Sequence, residues 1–367
     1  MAVVVLVAAV AVAMVGRSTG PTAPVTSASP KPSPTLAGLA GYLVYTTAVG
    51  AHADRLWLWD LAAGRVLEGP RVAKVIQLVN AYRMIPDAWL GVTVQRGDVQ
   101  RALLMRSWGA SSSPNVVATG DRVAWSPGGL NVTAVSIDGE GACGRLSVRT
   151  VLPGFNLTQR GTAGEGSVCG TVRSVNWGTS SVYMDLLGGG SSSVFRLEGG
   201  VQPVLANSVL VGVSPADALL VEPFSCIGPG AGPTTSTCPG MGVVLPRLGP
   251  VSARRVRYPK GPPFLVESVA AWTPDGRTAY AVGTLGQVHG VYAVRVSKGG
   301  VPSTPRLVWQ SLAPEERVAL TDQGQVILAR DGIVSLMRAN RPVVLQRPGG
   351  PPPSGPIVWL RSLPYSP

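Results

Sequence analysis

The stretch VAAWTPDGRTAYAV, residues 269–282, decides the reading of this chain, because RVAWSPGGLNVTAVS at 122–136 has the same build. Each is a short apolar run ending near a tryptophan, followed by Ser or Thr, proline and a glycine turn, and then a second alternating run. Two period-two runs joined by a tight turn are the pattern of a β-hairpin. A hairpin written twice in 367 residues calls for a search for further copies.

Aligned on the tryptophan, DRVAWSPGG (121–129), RSVNWGTSS (173–181) and SVAAWTPDG (268–276) put Trp125, Trp177 and Trp272 in one column. Weaker copies put Met84 (YRMIPDAW, 82–89), Val213 (LVGVSPADA, 210–218), Leu320 (RVALTDQGQ, 317–325) and Trp359 (GPIVWLRSL, 355–363) in the same column. The six steps from 84 to 359 average about 46 residues, the period of a propeller blade, and range from 36 to 59, so insertions are expected. Within the unit from 268, SVAAW, a Pro-Asp-Gly turn, TAYAVGT, GVYAVRV, a Lys-Gly-Gly turn and PRLVWQ read as four antiparallel strands. Prolines 86, 127, 215 and 274 fall where the first of these strands ends, at a turn position that suits the fixed φ of proline. The aromatic column has a physical reason, since bulky side chains fill the space between neighbouring sheets.

The N-terminal unit, GYLVYTT (41–47), RLWLWDLAAG (55–64) and RVLEG (65–69), lacks its inner strand. PIVWLR (356–361) is expected to supply it and close the ring. The predicted fold is an all-β, seven-bladed β-propeller, with six blades as the alternative because the unit from 73 to 120 is the most degenerate. Abundant glycine (46) and proline (33) fit many short strands joined by turns and disfavour long helices. AWTPDGRTAYAV resembles the W-[ST]-P-D-G repeat of TolB-like propellers, and LWLWDLAAG resembles the Trp-Asp ending of WD-repeat strands. The resemblance spans roughly 41 to 362; Trp272, Pro274, Asp275 and Gly276 match fully, while the other copies lose the Asp or the Gly. It implies a fold and leaves activity open, because this scaffold hosts binders and enzymes alike.

Residues 2–15, AVVVLVAAVAVAMV, are apolar throughout, shorter than a spanning helix needs and of the length of a signal-peptide core. The expected organisation is a signal peptide or membrane anchor at 1–16, a Pro/Ser/Thr-rich linker at 17–37 and a propeller at 38–367. No basic residue precedes the run, which points to a start further upstream, and no cysteine follows it as a lipid anchor would require. The expected localisation is extracytoplasmic, membrane-anchored or secreted.

The net charge of +12 falls to +10 without residues 1–37 and rests on scattered arginines, so nucleic acid is disfavoured as a partner. Cys143, Cys169, Cys226 and Cys238 form no Cys-x-x-Cys pair and only two histidines exist, so neither a metal site nor a cofactor is expected. Behind an export signal the four read as two disulfides, Cys226–Cys238 closing the loop CIGPGAGPTTSTC and Cys143–Cys169 as the remainder.

In propeller blades the loops between the second and third strands share a rim with those leading into the next blade. Both disulfides, His52 and His289 are assigned to that rim, which is taken as the binding face, with candidate residues His52, Asp138, Glu140, Arg145 and His289. The candidate acids Asp54, Asp138, Glu140 and Glu267 define no acid/base pair in sequence. GRSTG (16–20) matches a nucleophile-elbow pattern but has no strand before it or helix after it. ARRVRYPK (253–260) is read as a charged outermost strand, protected against edge pairing. The expectation is a monomeric, non-catalytic binding or scaffold propeller of the cell envelope, recognising a protein or a cell-wall polymer. The alternative is a hydrolase or lyase at the mouth of the central channel.

Overall fold

The computed structural model describes residues 39–80, 90–139, 143–152, 157–160, 166–197, 200–226, 238–246, 256–311, 317–338, 341–345, 347 and 349–363. The apolar run at 2–15, the linker, Met84 and Glu140 lie outside these residues. Among the described residues no helix is long and apolar enough to cross a membrane.

Strands β1 (Tyr42–Gly50), β2 (Ala53–Asp60) and β3 (Arg65–Asn80) form an antiparallel meander. β3 is 16 residues long because it serves two units: it pairs with β2 as far as Ala73, and from Lys74 onward with β4 (Leu90–Arg96). β5 (Val99–Met105) and β6 (Asn115–Gly120) complete that second unit. The next sheet contains β7 (Arg122–Trp125), β8 (Val132–Asp138) and β9 (Cys143–Leu152), with β10 (Leu157–Arg160) and β11 (Gly166–Cys169) both paired to β9. β12 (Thr171–Trp177), β13 (Val182–Gly188), β14 (Ser191–Arg196) and β15 (Gln202–Leu205) follow as a four-stranded sheet.

β16 (Ser208–Val213), β17 (Leu219–Pro223) and β18 (Gly242–Val244) make a three-stranded sheet whose outer edge carries the bridge Val243 to Arg257. Two more four-stranded sheets complete the array. One is β19 (Phe264–Trp272), β20 (Thr278–Leu285), β21 (Val288–Arg295) and β22 (Arg306–Gln310). The other is β23 (Arg317–Leu320), β24 (Val326–Arg330), β25 (Ile333–Arg338) and β26 (Arg341–Leu345). Finally β27 (Ile357–Leu360) returns to β1, pairing Tyr42 with Leu360 and Tyr45 with Ile357. PIVWLR therefore lies where the sequence requires an inner strand for the first unit.

The apolar clusters lie between consecutive sheets. Leu104 of β5 packs with Trp125 and Val132 of the following sheet, and Tyr183 and Val194 pack with Leu210 and Val221 of the sheet after them. Ile327 and Leu336 near the end of the chain share a cluster with Leu43, Tyr45 and Trp59 near its start. Meanders stacked face to face, with the last packed on the first, are the architecture of a β-propeller.

The repeat motif acquires a physical meaning in its turn. After the column residue, Ser126, Ser214, Thr273 and Thr321 each accept with the side-chain hydroxyl the N–H that opens the return, from Asn131, Ala218, Thr278 and Gln325 respectively, at 2.8–3.1 Å. Their carbonyls also accept from Gly129, Asp217, Gly276 and Gly324, which closes a three-residue step. Gly276 takes a φ of +67°, a conformation that glycine adopts without penalty. The column residue itself reaches toward the preceding sheet. Trp125 donates its indole N–H to Thr93 Oγ1 at 3.0 Å and lies over Gly91, where a Cβ would come within 2.9 Å of the ring.

One strand differs from expectation. The second unit opens on Lys74–Asn80, the continuation of β3, whereas the stretch aligned through Met84 lies outside the described residues. No turn separates the two units, so no turn residue marks the boundary in sequence.

A second recurring device joins the sheets. Asp54 Oδ2 accepts from Val75 N (2.7 Å), Gln100 Oε1 from Val123 N (2.9 Å), Asp185 Oδ2 from Leu210 N (3.3 Å) and Glu222 Oε1 from Val266 N (2.6 Å). In each pair a buried side chain in the middle of one sheet clasps the first strand of the next. Three of these donors adjoin bulges, at Val75/Gln77, Leu210/Gly212 and Val266/Ser268, where the ladder shifts register. A buried N–H beside such a break needs another acceptor, and the clasp supplies it. Asp54, a candidate acid in sequence, is thus a structural group.

Candidate functional site

The turns between second and third strands and the entries to first strands lie along one edge. His52, in the β1–β2 turn, accepts at its carbonyl the N–H of Lys74, the first residue of β3 that pairs with β4. His289, at the start of β21, likewise accepts from Ser311, just beyond β22. Cys143 opens β9 and Cys169 closes β11; the two are direct cross-strand partners joined by a disulfide, two residues before β12. Cys226 and Cys238 are also bonded, across the connection between β17 and β18. Among the described residues no cysteine is free. Both disulfides therefore bind loops of the same edge.

Of the candidate residues, Asp138 and Arg145 face each other across β8 and β9, both exposed. His289 Nε2 stands 3.0 Å from Glu267 Oε1, which brings together two groups far less evident as a pair in sequence. His52 is exposed in its turn, on a different sheet from His289. No group of three His, Cys, Asp or Glu side chains suited to a metal ion occurs among the described residues.

The first strands of the sheets surround a cavity of about 740 Å³. Its wall is built from 74–78 of β3, 122–125 of β7, 173–177 of β12, 211–213 of β16, 268–272 of β19, 317–318 of β23 and 354–357 leading into β27. Four basic side chains line it, Lys74, Arg122, Arg173 and Arg317, and none of its described lining residues is Asp or Glu. Arg122 and Arg317 open their strands and Lys74 opens the β4-paired part of β3, so these three stand at the end of the cavity nearest the disulfide-bearing edge.

Carboxylates lie behind Lys74 and Arg173. Lys74 Nζ is 3.0 Å from Asp54 Oδ1, and Arg173 Nε is 4.0 Å from Asp185 Oδ2. Burial pushes the Asp185 carboxyl above its ordinary range, opposed by the Ser192 hydroxyl, the Arg173 charge and the Leu210 N–H. Arg122 donates from Nε to the Arg173 carbonyl at 3.0 Å and from Nη1 to the Asp121 carbonyl at 2.7 Å, linking two neighbouring first strands.

Reasoning from the sequence missed this basic wall. The signal was present in KVIQ (74–77), RVAW (122–125) and RVAL (317–320), each a cation followed by valine at a strand start. Because the charges are dispersed along the chain, only their common position within the repeat reveals them.

No family model matches the sequence, and no curated protein matches it significantly. Among solved structures, a Bacteroides fragilis protein provisionally described as a 6-phosphogluconolactonase aligns over 89% of this chain and 100% of its own, at TM-score 0.49 and 12% identity. TolB from Acinetobacter baumannii aligns over 87% of this chain and 82% of its own, at TM-score 0.41 and 12% identity. The propeller domain of the Trilobed protease from Pyrococcus furiosus aligns over 85% and 97%, at TM-score 0.47 and 9% identity. Beside these distant likenesses stands the strand topology itself, and by that topology the chain is a β-propeller.

Proposed function

We propose that this is a seven-bladed propeller closed by β27, acting outside the cytoplasm as a non-catalytic binding or scaffold module of the cell envelope. The blade number is supported by the strands that wall the cavity, one from each of seven sheet units once β3 is divided at Ala73/Lys74. Two disulfides suit an oxidising compartment. The observation that carries the binding role is the gathering on one edge of both disulfide-braced loops and the basic end of the cavity. Rigid rings bind through such loops because the scaffold holds them at little entropic cost. The partner is an envelope protein or a cell-wall polymer.

Photo-crosslinking in the native cell tests this, with the probe replacing Gly232, between Cys226 and Cys238 in sequence, or His52. A probe at Asp275, in a turn of the opposite edge, is the control. A discrete protein adduct, or a heterogeneous polymer adduct, from the first two positions alone is the expected result and names the partner class. Equal adducts from Asp275, or none from the rim, overturn the reading. The His289–Glu267 pair is the observation that favours a hydrolase or lyase instead. That reading requires turnover that is lost in His289→Ala.

A further inference from the structure

Away from the central cavity, the boundary between the first two units carries a groove of about 580 Å³, lined from β2, β3, β4, β5 and the start of β6. We propose that this groove binds a free amphipathic oxyanion, with its apolar body against Val72, Val94, Leu103 and Val116 and its phosphate, sulfate or carboxylate head held by Arg71, Arg96 and Arg101. The inference deepens the binding role proposed above. Ala53 of the lining follows His52, and Arg96 opens the β4–β5 turn, which places one end of the groove on the disulfide-bearing edge.

Strand alternation puts two of the cations on a face that is otherwise core. Val92 and Val94 of β4, and Leu103 and Met105 of β5, pack with Leu58 and Val72 of the first unit. Because side chains alternate between faces, Arg96 and Arg101 belong to that same face, and Arg101 stands directly opposite Val94 in the ladder. The cations end the apolar core short of the edge. They leave a groove floored by the buried Val72, Val94 and Leu103, with Val116, 55% exposed, beside them.

None of the described lining residues is Asp or Glu. The neighbouring carboxylates are engaged elsewhere, Glu68 with Arg55, and Asp54 with Lys74 and the Val75 N–H, while Asp98 is exposed in the β4–β5 turn and outside the lining. Arg101 Nε is closed off from solvent and has no acceptor among the described residues, so no hydrogen bond there fixes its guanidinium. Arg71 and Arg96 are exposed and Arg101 is half-buried, so an entering head group reaches them from solvent. Three like charges around one space repel, and an oxyanion among them replaces that repulsion by attraction. Guanidinium forks suit such a head, and the volume falls in the range of small-molecule sites, roughly 300–1,000 Å³.

Calorimetric titration of the folded protein with octyl phosphate, below its micelle concentration, tests the proposal. Binding that weakens with salt is expected, about tenfold or more tighter than that of inorganic phosphate or 1-octanol, because head and body each add contacts. Arg96→Gln with Arg101→Gln should weaken it about tenfold or more, and so should Val116→Glu, which sets a negative charge at an exposed position of the groove. Arg149→Gln with Arg341→Gln removes the same charge from exposed positions outside the groove and should bind as the unaltered protein does. Arg96→Lys with Arg101→Lys keeps both charges and should bind more tightly than the Gln pair, which separates loss of charge from loss of fold. No binding of octyl phosphate, equal binding of either fragment, or equal weakening by the exposed pair overturns the proposal.

Sedimentation with phosphatidylglycerol vesicles distinguishes a membrane headgroup from a free molecule: protein that pellets with vesicles yet binds no octyl phosphate overturns the groove as a site for a free amphiphile. Crosslinking from Gly232 reads the rim separately. Rim adducts without octyl phosphate binding overturn the groove and leave the rim reading intact, and binding without adducts does the reverse.

Discussion

Replacing Glu222 by Gln should remove a pH dependence from the stability of this propeller. Glu222 is 1% exposed, and its carboxylate accepts the Val266 N–H across the boundary between two sheets. Burial pushes its pKa from 4.5 up to about 7, only partly opposed by that hydrogen bond. The folded protein therefore holds a proton that the unfolded chain releases near pH 4.5. Stability from this group is full below about pH 4.5 and is lost as pH rises toward 7, because the folded state binds more protons throughout the window. The shift corresponds to a loss on the order of 3 kcal/mol. The amide of Gln keeps an oxygen for the Val266 N–H and does not titrate. Urea unfolding of both proteins, followed by tryptophan fluorescence between about pH 4.5 and about pH 7.5, reads the difference directly. Wild-type stability should fall relative to E222Q by roughly 3 kcal/mol across that range. Asp185 shifts in the same direction but is present in both proteins and cancels. A difference that is constant, or that grows in favour of the wild type as pH rises, would refute the reasoning.

Two further outcomes follow from the ring and its cross-links. Truncation after Pro353 removes β27 with the buried Ile357, Trp359 and Leu360, and should cost on the order of 5 kcal/mol or more, a large share of total stability; an unchanged melting transition would show that β27 does not close the fold. Alkylation of the folded protein without reductant should label no cysteine, and Cys143→Ser with Cys169→Ser, which opens a link between residues 26 apart, should lower stability by about 3 kcal/mol in urea unfolding. Labelling of either residue in the native protein would count against the pairing.

The hairpin motif made much of this fold readable. Its tryptophan fills the space beside the preceding sheet and its Ser or Thr binds the turn, so the physical roles recur and leave recurring residues. The pairing of the cysteines was readable for a related reason, since strand order places Cys143 and Cys169 on one edge. The start of the second unit was not readable, because β3 passes from one sheet to the next without a turn. The clasps of Asp54, Gln100, Asp185 and Glu222 were equally hidden. They come from different strands of their sheets, use three residue types, and meet partners 21 to 44 positions away.

The sequence by itself determined the all-β class, the repeating hairpins, the paired cysteines and the return of the C-terminal strand, because local periodicity and turn chemistry act over a few residues. Only the tertiary structure decided that Lys74, Arg122, Arg173 and Arg317 line one cavity, that His289 meets Glu267, and that Asp54 is a clasp. These depend on how the first strands of separate sheets come to stand around a common space. That arrangement is set by packing between sheets, which brings together side chains remote in sequence and leaves no local pattern to announce it.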